Sequence, residues 1–165
     1  MWGKNEMSES NKIYNTLKES IDLQSKIMDN IFLLSRDSSS VRLIKDTLSS
    51  SVNSVALYLI KQFPEEMKVE LLPNIIEVMR YLDGNTKICQ DIILTLDREW
   101  LKNNIWNYSK HVFDDHDYQS IGIFIYLFNC IDSGLSRRLA NFALESEDED
   151  VRDIGEIYFE KKSKT

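Results

Sequence analysis

Apolar positions recur along this chain at steps of three and four, and nowhere do they alternate with period two over a useful length. That period marks helices with one buried stripe. Ile13, Leu17, Ile21, Met28 and Ile31 predict a helix over residues 11–34, interrupted at Gln24 and preceded by a tail at residues 1–9. Val41, Ile44, Leu48, Val52, Val55 and Leu59 predict a second helix, widened by Ala56, Leu57 and Ile60 and ended by Pro64. Its serine-rich middle, residues 49–51, is the place where it would break. Leu71, Ile75, Val78 and Leu82 predict a third over residues 65–82, kinked or divided at Pro73 and closed by Asp83-Gly84-Asn85.

Ile88, Ile92, Leu96 and Trp100 start the next stripe, which shifts sideways onto Leu101, Ile105, Tyr108 and Val112, so two helices should meet near Asp97. Residues 118–131 are apolar nearly all round, the pattern of a central buried helix. Leu135, Leu139, Phe142 and Ala143, then Val151, Ile154 and Tyr158, predict a last helix pair around an acidic elbow. A helix with one apolar stripe must bury it on a neighbour. The expected fold is therefore all-α, with seven or eight antiparallel helices stacked in hairpins as a short HEAT-like α-solenoid, in one domain over residues 1–165.

Composition narrows the function. Five glycines and two prolines in 165 residues are few for a fold built on tight turns. Cys89 and Cys130 have neither disulfide nor zinc spacing and read as buried free thiols of a reducing compartment. The first residues carry no apolar run and no stretch approaches membrane-spanning length, so a cytoplasmic protein without membrane contact is expected. A net charge of −7 disfavours direct nucleic-acid binding and suits a basic partner. From residue 84 onward there are 15 acidic and 10 basic residues, so the excess sits mainly in the second half.

One local pattern recurs. Asp37 and Glu147 each stand four residues before a Val-Arg pair, Val41-Arg42 and Val151-Arg152, at the start of a predicted helix. The acidic group would cap the helix and the arginine would reach back to carboxylates or carbonyls of the turn. This arrangement resembles HEAT-type repeats, although the intervening copies are degraded. Residues 118–162, where a short apolar helix leads into RRLANFALESEDEDVRDIGEIYFEK, resemble the C-terminal part of small all-helical immunity proteins of bacterial polymorphic and contact-dependent toxin systems. That resemblance implies a cytosolic antidote that binds and neutralises a secreted or contact-delivered toxin, often a nuclease. It carries over no catalytic residues, because such proteins act by binding.

The residues themselves offer no enzyme. His111, Asp114, Asp115, His116 and Asp117 form a cluster of metal-ligand types, and His116-Asp117 is similar to the His-Asp pair of helical metal phosphohydrolases. Those enzymes need another histidine well upstream, whereas here the other histidine lies five residues away on a different helical face. No nucleophile elbow or phosphate loop is present, and Gly122 and Gly155 read as sites of close helix packing. The expectation is no catalytic residue, no metal and no cofactor. The candidate partner contacts are Asp114, Asp115, Asp117 and Tyr118 at the first acidic turn, with Trp106 as a nearby aromatic anchor or core residue. Glu145, Glu147, Asp148, Glu149, Asp150 and Asp153 make up the second. The partner would be a basic toxin, and the free protein a monomer or weak dimer. A general helical-repeat scaffold that holds an amphipathic helix in its groove is the alternative.

Overall fold

The computed structural model describes residues 4–49, 53–81, 83–114 and 117–163; Val52, Leu82, Asp115 and His116 lie outside them. Among the described residues every regular element is a helix, as the three-and-four spacing requires. The chain divides into two compact units, residues 1–40 and 41–165.

In the first unit α1 runs Lys4–Leu34, so it starts seven residues ahead of the expected boundary. Its stripe departs from expectation. Ile31 is buried, but Ile13, Leu17, Ile21 and Met28 are 47% to 66% exposed. Among the described residues of this unit no second long helix lies beside α1. Ser40, itself buried, donates through its hydroxyl to the carbonyls of Leu34 and Asp37 and fixes the turn after α1.

The expected second helix is two. α2 (Ser38–Leu48) buries Val41, Ile44 and Leu48, and α3 (Asn53–Ile60) buries Ala56, Leu57 and Ile60. Val55, placed on the stripe by its spacing, is instead 60% exposed, because α2 ends at Leu48 and α3, starting at Asn53, turns a different face inward. Nine helices are present among the described residues, in keeping with the expected all-α fold of about seven or eight. α4 (Glu65–Met79) runs through Pro73 without dividing, with Pro73 on its exposed side. Glu65 and Glu66 occupy its first turn, where carboxylates favour the helix dipole.

α5 (Thr86–Ile93) and α6 (Arg98–Asp114) meet just before Arg98, and Asp97 caps α6 by accepting from the Trp100 N–H. α7 (Tyr118–Ile131) has the expected bounds and buries eight side chains. α8 (Ser133–Leu144) and α9 (Glu149–Ser163) complete the chain. In this second unit each helix packs mainly on its neighbours in sequence: α3 on α4 and α5, α4 on α5 and α6, α6 on α7, and α7, α8 and α9 on one another.

The aromatic core fixes the direction of these helices. Phe113, at the end of α6, lies 5.3 Å from Phe124 in the first half of α7 and 6.4 Å from Phe142 near the end of α8. The run of α6, α7 and α8 is therefore antiparallel, up, down and up. Gly155 explains how closely α9 follows, since a Cβ there would sit 2.8 Å from both the Ala140 carbonyl oxygen and Leu144 Cγ. Gly122 differs from its expected role: its Cβ would meet nothing nearer than Ile154 Cδ1 at 3.8 Å, so it opens space instead of closing it. Cys89 is buried as expected, and burial together with the charge of Asp83 pushes its thiol up to about 12. Cys130 is exposed, because it falls on the outward side of α7 next to Asn129.

Candidate interaction site

Antiparallel packing brings the two acidic turns to one end of the second unit. α6 ends one residue after Phe113 and α8 ends two residues after Phe142, and the centres of those two rings lie 6.4 Å apart. Short connections in this fold make neighbouring turns alternate between ends, so these two share an end.

At the elbow the run of acids has one exception in sequence, Ser146, and it is the position the fold buries. Its hydroxyl accepts from the Asp148 N–H at 3.2 Å and its own N–H donates to the Ala143 carbonyl at 3.1 Å. Asp148 Oδ1 then accepts from the N–H groups of Asp150 at 2.9 Å and Val151 at 3.4 Å, which caps α9. Arg152 folds back and donates through Nη1 to the carbonyls of Ser146 at 3.0 Å and Glu147 at 2.8 Å. The guanidinium thereby offsets acidic charge at the C-terminal end of α8, where a helix dipole disfavours it. The back-reaching arginine matches expectation, but the capping acid is Asp148, not Glu147. In the earlier copy Asp37 does cap α2, accepting from the Ser39 N–H at 2.9 Å, while Arg42 stays exposed without a hydrogen-bond partner among the described residues.

With Asp148 assigned to the cap, Glu145, Glu147, Glu149, Asp150 and Asp153 remain. All five side chains are exposed, and none forms an ion pair among the described residues. Like charges this close repel one another in water, and the first-turn dipole benefit reaches only Glu149 and Asp150.

The first turn is more mixed. Asp114 is exposed, and Asp115 is outside the described residues. Asp117 is half-buried and caps α7, accepting from both the N–H and the hydroxyl of Ser120. Partial burial pushes its carboxyl up, but the Ser120 and Gln119 hydrogen bonds and the charge of Arg80 outweigh this and hold it below its ordinary value. The Ser120 hydroxyl also donates to the Arg80 carbonyl, and Glu77 Oε1 meets His111 Nε2 at 2.6 Å. These bonds fasten the turn to the end of α4. His111 thus faces Glu77, and among the described residues no group of three His, Cys, Asp or Glu could hold a metal ion.

Trp106 packs against Phe113 and Phe128, with ring centres 5.4 and 6.0 Å away, and the Arg138 guanidinium covers it at 3.7 Å. It takes the packing role of its two expected ones. Tyr118 stands nearly half-exposed beside an open groove that spacing alone did not reveal. That groove lies between α5, α7 and α9, with about 650 Å³ along Gln90, Tyr118, Gly122 and Tyr126. It continues into about 380 Å³ lined by Gly122, Ile154, Ile157 and Lys161. The signal for it in sequence is the Gly122–Tyr126 pair at i and i+4 on a helix otherwise filled with large apolar residues.

No protein-family model matches the chain, and no curated protein or solved structure matches it. Among the described residues no helix is long and apolar enough to cross a membrane.

Proposed function

We propose that this chain is an immunity protein: it neutralises a basic toxin, best pictured as a nuclease domain, by covering the toxin's active cleft with the acidic end of the α6–α9 stack. The observation that carries this reading is the set of five exposed elbow carboxylates that form no ion pair among the described residues. Such a cluster costs the free protein repulsion energy and repays it only when cationic groups arrive. A nuclease cleft built to hold phosphates supplies those cations. On this reading the protein works in the cytoplasm, by obstruction, with no catalytic step, no cofactor and no contact of its own with nucleic acid or membrane.

An immunity gene is expected beside the gene of its toxin. The test is to purify the product of the adjoining gene, assay its toxic activity, and titrate in this chain. Loss of activity at a one-to-one ratio supports the proposal; an unaffected activity, or turnover by this chain alone, removes it.

A second reading rests on the groove between α5, α7 and α9. Its largely apolar lining suits the apolar face of a partner helix, which would make the chain a helical-repeat scaffold. Substitution of Ile157 by Glu separates the two: it should abolish binding by the groove and leave capture by the acidic end intact.

A further inference from the structure

We infer that the groove beside Gln90 is a binding site for a small neutral molecule that carries a carboxamide or lactam edge on a ring. Gln90 is only 6% exposed, and its side-chain amide has no hydrogen-bond partner among the described residues. Buried polar groups are ordinarily paired. In the second unit the other buried polar side chains follow that rule, with one exception. Lys68 donates to the Thr95 hydroxyl, Thr86 and Ser120 donate to the carbonyls of Tyr81 and Arg80, and Ser136 and Ser146 bond within their turns. The exception, the Ser109 hydroxyl, is sealed from solvent. Gln90 is not sealed: it lines the groove between α5, α7 and α9 and keeps its small exposure there.

The amide sets the chemistry of the ligand. It presents donors and an acceptor side by side. Solvent in the groove meets both, and a ligand that displaces this solvent without returning both bonds loses affinity. A carboxamide or lactam edge returns the two together, whereas a ketone or an ammonium group returns one. A partner helix that covered the groove with apolar anchors alone would leave the amide buried and unbonded.

The walls set the body of the ligand. Tyr118, Gly122 and Tyr126 follow at i, i+4 and i+8 on one side of α7, so the two tyrosines start about 12 Å apart along the axis. Both are about half exposed, and Gly122 leaves a gap between them in which a Cβ would meet nothing nearer than Ile154 Cδ1 at 3.8 Å. Tyrosine offers a ring to stack against and a hydroxyl at its tip, which suits a ring with a polar edge. Charge at the rim is already engaged. Asp83 accepts from the Asn85 N–H at 2.7 Å, Lys87 pairs with Asp91, and Lys161 has a partner of its own. A neutral ligand follows. The volume of about 650 Å³ lies within the usual range for small-molecule sites. Every residue of the site belongs to the second unit, and toxin capture by the acidic turns does not depend on it.

The test is a titration of the full chain with benzamide, followed by amide NMR at the Gln90 side chain and at the backbone of residues 118–126. Benzamide should shift these signals saturably, with a Kd of about 1–5 mM. Gln90→Leu replaces a partnerless amide by a side chain of similar size, so it should keep the fold and weaken benzamide about tenfold or more. Acetophenone, which has the same shape and no donor, should bind the parent at least about tenfold more weakly than benzamide. Absence of a saturable shift up to about 20 mM, equal binding of acetophenone, or unchanged binding by Gln90→Leu would each overturn the inference. So would N-acetylglutamine methylamide binding as tightly as benzamide, since the occupant would then be a protein side chain.

Discussion

Asp148 shows how one residue can be separated from a run of similar neighbours. It alone in the elbow accepts from two backbone N–H groups at the start of α9. Asp148→Ala should destabilise the protein by about 1 kcal/mol, as loss of a helix cap does. Glu147→Ala, one position earlier, should stay within about 0.5 kcal/mol of the parent. Denaturant unfolding of both variants measures the difference. Asp117 adds a pH dependence. Its folded carboxyl lies below the ordinary 3.8, so its contribution is complete above the unfolded value and is lost as pH falls through the folded one. Acid unfolding of Asp117→Asn should therefore lack part of the parent's loss of stability below about pH 4. The two thiols should also part company. Cys130 is exposed and should react with a thiol reagent in the native protein, whereas Cys89, buried and pushed up to about 12, should react only on unfolding. Labelling of both at equal rates would contradict the packing of α5.

At the scale of elements, the two helical glycines predict opposite outcomes for the same substitution. Gly155→Ala places a methyl 2.8 Å from the Ala140 carbonyl and from Leu144, so overpacking of about 1–3 kcal/mol exceeds the gain in helix propensity. Gly122→Ala enters open space and should stabilise the protein by about 0.5–1 kcal/mol. Thermal or denaturant unfolding of the pair reads the sign directly. The contrast also locates what spacing makes legible. Periodicity identified α7 to the residue and the junction before α6, because apolar stripes there are long and bounded by aspartate caps. It misplaced Val55, since α2 and α3 are separate helices and the phase of one does not carry into the other. It gave α1 a core stripe, whereas Ile13, Leu17, Ile21 and Met28 are exposed, because three-and-four spacing reports only that a face is apolar. The acidic end was legible as a run of charges. Its division into one cap, one buried serine and five uncommitted carboxylates was not, because that depends on where α8 stops.

At the scale of the whole molecule, charge is gathered by the way the helices stack. An antiparallel stack with short turns collects two acidic connections at one end, while Arg152 and Asp148 stabilise the elbow from inside. On the proposed function the remaining carboxylates steer a cationic partner, an effect on association rate that salt weakens. The most direct measurement is stopped-flow association of this chain with the product of the adjoining gene, comparing the parent with Glu147→Lys, Asp150→Lys and Asp153→Lys combined. Asp148 is kept so that α9 retains its cap. The account predicts that the triple variant associates at least about tenfold more slowly at low salt, and that the difference shrinks as salt is added. Equal rates and affinities for the two proteins at every salt concentration would contradict it.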